Sequence, residues 1–339
     1  MTPSATPPSR RRTWSDFGDL RRIPSDYEIV THNTNWTVRK VRAAALEGNP
    51  SSPANLWFLT YRDRSPLQVE DWTSFRDPDQ LTYRRYVTLQ NDQETIVASI
   101  LEKYAESGHD NTHSPSWRRC LAMLFAPTRY PAHAFQMAYS YLAHMSPSSY
   151  ISNCAAFAAA DMLRRVSLTA YRTRELQRTW PTEGFGTAER LIWETEAGWQ
   201  DTRRALELSL IAYDWGECFT AVNLVLRPSI EAILIHRLAA LAQHCGDEQS
   251  WLLLSNLSAD CDRYERWSIA LAKFAIEKRS ANRDVFQRWI KKWSPRADLA
   301  VAGLARLMPL LQPGAGPEIQ IAEEARGRRD NMLRSADIL

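Results

Sequence analysis

The sequence predicts an all-α protein built on long paired helices. Apolar residues recur at helical spacing through most of the chain, breaks fall at Pro, Gly or Ser, and no segment reads as a core strand. Gly is scarce, at 12 of 339 residues, while 13 Trp supply large aromatic anchors, as suits a helical chain.

Residues 1 to 60 are the exception. They lack helical periodicity, are rich in Pro, Ser, Thr, Asn and Arg, and carry isolated aromatics at Trp14, Phe17, Tyr27, Trp36, Trp57 and Phe58. Spaced aromatics in polar chain predict an extended arm whose anchors lie in a partner's grooves, with Trp14, Trp36, Trp57 and Phe58 the leading contacts. From Asp77-Pro78 a helical run extends to Ser107-Gly108. A short helix covers Trp117 to Phe125, another opens at Pro131 and closes near Met145, and Pro147-Ser148-Ser149 precedes a long helix to about Arg174. Trp180 to Gly186 is a loop crossing between two helical halves. The second half is predicted as a helix from about Gln200 to Val225, interrupted at Arg227-Pro228 and continued to His244. Asp247 then caps a helix to Lys278, and shorter helices cover Asp284 to Trp293 and Ala297 to Leu311. Residues 61–312 therefore form one helical domain, and 313–339, released by Pro313-Gly314-Ala315-Gly316-Pro317, a polar C-terminal tail. Two pairs of long helices joined by a crossover describe a ferritin-like four-helix bundle.

Charged residues make up 24% of the chain and the net charge is only +3, so no nucleic-acid footprint is expected. No apolar run is read as a membrane span, and Arg10-Arg11-Arg12 is not followed by an apolar signal core, which predicts a cytoplasmic protein without a membrane partner. Cys120, Cys154, Cys218, Cys245 and Cys261 are odd in number and widely spaced, which suggests neither a zinc motif nor a disulfide framework.

Candidate chemistry is sparse. The single Glu-x-x-His, Glu106-Ser107-Gly108-His109, spans a helix end and has no second copy, whereas a di-iron centre needs two such motifs and two further carboxylates. Glu231 and His236 are five apart and point to different faces of a helix. No G-x-S-x-G is present. By residue chemistry alone the chain reads as a binding or structural protein.

Several stretches, in order, resemble the β subunit of the hydroxylase in bacterial multicomponent di-iron monooxygenases. They are DWTSFRDPDQLTYRRYVTLQNDQET (71–95), PAHAFQMAYSYLAHMSPSSYISNCAAFAAADMLRR (131–165), AYRTREL (170–176) and WPTEGFGTAERLIWE (180–194). TWSDFGDLRRIPSDYE (13–28) looks like the branch acting on toluene, alkenes or isoprene.

The resemblance implies a ferritin-like fold shared with an iron-bearing α subunit, and a heterohexamer of two α, two β and two γ chains. It also implies electrons from NADH through an FAD reductase and a Rieske 2Fe-2S ferredoxin, and a small effector protein. The catalytic chains carry D-E-x-R-H on two helices. Here the first becomes Asp161-Met162-Leu163-Arg164-Arg165 and the second Asp260-Cys261-Asp262-Arg263-Tyr264, so Met162, Arg165, Cys261 and Tyr264 stand at ligand positions. Counting about 30 residues back from each motif reaches Ala132 and Arg227. The resemblance thus implies a non-catalytic subunit with no metal or cofactor of its own. In place of the metal, Arg165 is expected to pair with Asp161, Asp260 or Glu231. Tyr83-Arg84-Arg85-Tyr86 is a second candidate docking face. The competing expectations are a self-contained iron oxidase with unusual ligands and a stand-alone helical interaction module.

Overall fold

A computed structural model describes residues 22–35 and 53–339; Trp14 and Trp36 lie outside the described residues. Among the described residues there is no strand, and four helical segments form the centre. In chain order the helices are α1 (Asp26–Thr31), α2 (Pro53–Phe58), α3 (Tyr83–Glu106), α4 (Pro115–Cys120), α5 (Arg129–Met145), α6 (Ser149–Thr179), α7 (Glu189–Thr195) and α8 (Ala197–Ser209). They continue with α9 (Trp215–Phe219), α10 (Arg227–Glu231), α11 (Leu238–His244), α12 (Glu248–Lys278), α13 (Asn282–Leu311) and α14 (Glu318–Ser335). Segments α9, α10 and α11 belong to one helix, Trp215–His244, joined by π-helical stretches at Thr220–Leu226 and Ala232–Arg237.

The bundle pairs α5 with α6 across the Ser146–Ser148 turn, and Trp215–His244 with α12 across Cys245–Asp247. Each turn has a local cause. Ser146 Oγ and N–H both bond the Leu142 carbonyl, which closes α5. Gly246 takes a φ of 76°, a conformation that costs glycine little, and Asp247 Oδ1 accepts the Ser250 N–H to start α12. Around this centre α3 lies along α12, α8 packs on α13, and α13 and α14 cover the far side of Trp215–His244.

Several expectations need correction. The break in the second half falls at residues 210–214, not at Arg227-Pro228. Pro228 lies in the first turn after a π-helical stretch, where a missing N–H costs little, and the helix runs on. Trp215–His244 is, by length and composition, apolar enough to cross a membrane, contrary to the reading above; its apolar window is wholly buried inside the bundle, as a core helix. Pro295 does not divide α13, because burial of Trp293, Ala297, Val301 and Leu304 along one continuous face holds the helix together. α3 begins at Tyr83, capped by Thr82, and Pro78 belongs to the preceding turn.

Residues 313–339 do not form a polar tail. α14 buries Ile321, Ala322, Ala325, Met332 and Leu333 against the bundle, and Ile338 follows them inside. Nor are the described parts of 1–60 extended. Ser25 and Glu28 form a capping box for α1, and Tyr27 is buried against Tyr150 at the start of α6. Glu28 is gripped by Arg22 at 2.7 Å and by Arg76 at 2.8 Å, which holds this segment to its own chain. The five cysteines are free thiols, all but Cys245 fully buried.

A candidate site filled by guanidinium groups

Four of the six positions that the resemblance implies as lost ligands come together between the central helices: Arg165 and Arg227 meet at Glu231, Tyr264 lies against Arg227, and Cys261 sits beside Glu231. Ala132 comes from α5, Met162 and Arg165 from α6, Arg227 from α10, and Cys261 and Tyr264 from α12; all are buried. Met162 and Arg165 are three apart, as are Cys261 and Tyr264, so each pair shares one helix face.

What fills the centre is an ion-pair cluster. Arg165 Nη1 donates to Glu231 Oε1 at 2.7 Å, and Arg227 Nε donates to the same oxygen at 2.9 Å. Arg227 Nη1 also donates to the Tyr139 hydroxyl at 2.9 Å, while its guanidinium lies 3.5 Å from the centroid of the Tyr264 ring. Burial would raise the Glu231 carboxyl, but the two guanidiniums outweigh it and hold the group below its ordinary range. Burial pushes the Cys261 thiol and the Tyr264 phenol well above their usual values, and Glu231 adds to both. The thiol is therefore held protonated, a poor ligand and a poor nucleophile.

A second charged layer lies one turn away towards α3. Asp161 accepts from Arg263 at 2.6 Å, from the Tyr86 hydroxyl at 2.8 Å and from Gln90 Nε2 at 3.0 Å. Asp260 accepts from Arg263 at 2.8 Å and Arg164 at 2.9 Å. Arg164 also reaches Asn256 at 2.6 Å and Glu94 at 2.5 Å. Burial, then the neighbouring Asp260 carboxylate, push Asp161 up to about 6. The expected network thus exists as two layers: Arg165 takes Glu231, whereas Asp161 and Asp260 go to Arg263 and Arg164.

These residues do not fit a di-iron centre. Such a centre in a bundle takes four carboxylates and two imidazoles, and the six positions implied by the resemblance offer neither group. Glu231, one turn beyond Arg227, is the carboxylate that enters this space, and both guanidiniums already use it.

The interface candidates divide. Tyr83, Arg84 and Arg85 are exposed at the start of α3, but Tyr86 is buried, stacked on Phe157 with 4.3 Å between ring centroids. Trp57 keeps an exposed edge while donating to the Tyr141 hydroxyl at 3.0 Å. Phe58 is buried against His144, so it packs within its own chain. Sequence reasoning missed Tyr139, Arg263 and Gln90 as members of the charged layers. The signal for Arg263 was present, because Asp260-x-x-Arg263 places both on one helix face.

Residues 57–279 match the model of the methane, phenol and alkene hydroxylase family. This chain belongs to that family. It is 41% identical over 289 residues to the β subunit of the hydroxylase component of the toluene-4-monooxygenase system of Ectopseudomonas mendocina, covering 85% of this chain and 88% of that relative. A solved structure of toluene 4-monooxygenase, with toluene bound in its resting active site, superposes with a TM-score of 0.83 at 39% identity, over 89% of this chain and 98% of that one. The oxygenase α subunit of the alkene monooxygenase system of Xanthobacter autotrophicus is 23% identical over 219 residues, 61% of this chain and 44% of that one. The ferritin-like helical fold expected from the helix pairing is the fold of these relatives.

Proposed function

We propose that this chain is the non-catalytic β subunit of a multicomponent monooxygenase hydroxylase that oxidises hydrocarbons such as toluene or short alkenes. The observation that carries this reading is the buried Arg165–Glu231–Arg227 cluster, which puts guanidinium groups at positions where the resemblance implies iron ligands in the catalytic chains. The cluster joins α6 to Trp215–His244, so the chain acts as a rigid support for a partner α subunit that carries the di-iron centre. In this reading α and β chains assemble with γ as two copies each, NADH supplies electrons through a flavin reductase and a Rieske ferredoxin, and the whole works in the cytoplasm. The exposed start of α3 is the proposed docking face, with Tyr83, Arg84 and Arg85 beside exposed Val87.

The test is native mass spectrometry of the chain purified from its host, with iron counted in each dissociated subunit. Assembly with a larger, iron-loaded subunit and no iron on this chain supports the proposal. Iron retained by this chain alone overturns it and restores the self-contained oxidase.

A further inference from the structure

Far from the central cluster, at the end of the bundle where α3 stops and α12 starts, two histidines and an aspartate meet. His109 and His113 flank the short turn after Gly108, and Asp247 is the N-cap of α12. One ligand atom from each lies within 4.8 Å of the others. His109 Nε2 is 3.4 Å from Asp247 Oδ1; His113 Nε2 is 3.6 Å from Asp247 Oδ2 and 3.2 Å from Asp110 Oδ1. Donors set about 2.0–2.1 Å from a tetrahedral zinc ion stand about 3.3–3.4 Å apart; the contacts here span 3.2–3.6 Å, with His109 facing Oδ1 and His113 facing Oδ2 of Asp247.

Two independent observations point to a ligand. Both Nε2 atoms are buried without a well-aligned hydrogen bond, and the His113 side chain is only 2% exposed, so its nitrogen faces the carboxylate oxygens of the cluster and no solvent. The charges also fail to cancel. Asp110, Asp247 and Glu175 outnumber the guanidiniums that face them: Arg172, which Asp110 grips with both oxygens and Glu175 meets at 3.2 Å, and Arg178 in the adjoining cavity wall beside Glu175. With neutral imidazoles the group carries an excess negative charge, which a bound cation would offset. The outer contacts suit a metal ligand too: Trp117 Nε1 and the Ser250 N–H, each at 2.9 Å, bond the two oxygens of Asp247 and fix its orientation. A cavity of about 220 Å³, lined by Gly108, Asp110, Arg172 and Glu175 among others, meets the cluster at Asp110.

We propose that His109, His113 and Asp247 bind a structural zinc ion, with Asp110 Oδ1 or a water from the cavity as the fourth ligand. Two imidazoles with hard oxygen donors match zinc better than magnesium or calcium. The ion would fasten the end of α3 to the start of α12 and to Arg172 of α6. Sequence reading found His109 in the pairing Glu106-x-x-His109, but its partners are His113, four residues on, and Asp247, which lies far along the chain.

The experiment uses the full chain, alone or in its assembly, equilibrated with zinc sulfate and then desalted, with zinc counted by mass spectrometry. About one zinc per copy is expected, falling at least tenfold in His113→Gln and His109→Gln. Asp247→Asn preserves an acceptor for the Ser250 N–H, keeps the cap of α12, and is expected to lose zinc as well. Should the histidine variants fail to fold, cobalt(II) titration of the wild-type chain decides: tetrahedral visible absorption supports the site. Wild-type zinc below a tenth per copy, zinc unchanged by the substitutions, or a cobalt titration without that absorption overturns it. The result is independent of where iron resides, so the subunit assignment stands or falls separately.

Discussion

Glu231 is one carboxylate shared by two buried guanidiniums, so the inner cluster carries an excess positive charge. Removing Glu231 leaves Arg165 and Arg227 both uncompensated, whereas removing Arg165 leaves Arg227 and Glu231 as a one-to-one pair. Breaking a buried pair from one side costs about 3–5 kcal/mol. Glu231→Gln is therefore expected to destabilise the chain by that amount, and Arg165→Met by about 1–2 kcal/mol, the loss of one charged hydrogen bond eased by relief of the charge excess. Urea midpoints of the two variants decide, and equal losses would refute the shared-acceptor account. That Arg165 joins a buried ion-pair network was legible in the sequence, through the resemblance and the framing residues Asp161 and Arg164, Asp260 and Arg263. The division of partners was not, since Asp161, Asp260 and Glu231 all lay within reach of Arg165 by helix periodicity. Only the packed structure distinguishes a face of α6 turned to Trp215–His244 from one turned to α3.

Helix-to-helix fit turns on small residues that periodicity does not explain. In α13, a Cβ added at Gly303 would stand 2.7 Å from the Gly198 carbonyl oxygen of α8, which is backbone and cannot swing aside. Gly303→Ala should force these two helices apart and cost about 1–3 kcal/mol, the usual penalty of overpacking. Gly327 in α14 meets nothing within 4 Å, so Gly327→Ala should stabilise by up to about 1 kcal/mol through helix propensity alone. Thermal melts showing both substitutions to be neutral would refute the close crossing. α14 supplies another check: Leu333→Ala, at a fully buried position, should cost about 2–5 kcal/mol, whereas a released tail would lose nothing. The helix was hidden in sequence because its buried positions include Ala322 and Ala325, which carry little hydrophobic signal, and its exposed face is densely charged. The long helices α5, α6 and α12 were readable, since their ends coincide with Pro147, Asp247 and other local signals. Pro228 and Pro295 misled for the opposite reason: tertiary burial outweighs the single hydrogen bond each removes.

Across the whole molecule the outer charged layer ties α3, α6 and α12 together through Asp161, and this makes stability depend on pH. The Asp161 carboxyl titrates near 6 when folded, above the usual aspartate value near 3.9, because burial and then Asp260 disfavour its charge. The folded chain thus binds the proton more tightly than the unfolded one between these values. The contribution is fully present below the unfolded pKa and is lost as pH rises through the folded one. Asp247 acts in the opposite sense: burial alone would raise it, but His109, His113 and Arg172 bring it down to about 2, so its contribution is lost as pH falls towards that value. The wild-type profile mixes the two, and the diagnostic quantity is a difference between proteins. Between pH 4 and 7 the wild type should lose about 2–3 kcal/mol relative to Asp161→Asn, whose amide cannot ionise. Unfolding free energies at four pH values in that range would give a wild-type-minus-variant difference that falls with rising pH if Asp161 carries the effect, and a constant one if it does not. If that difference falls, assembly through α3 should follow the same pH course, because Tyr86 and Gln90, which hold α3 to Asp161, lie on the helix that presents Tyr83, Arg84 and Arg85.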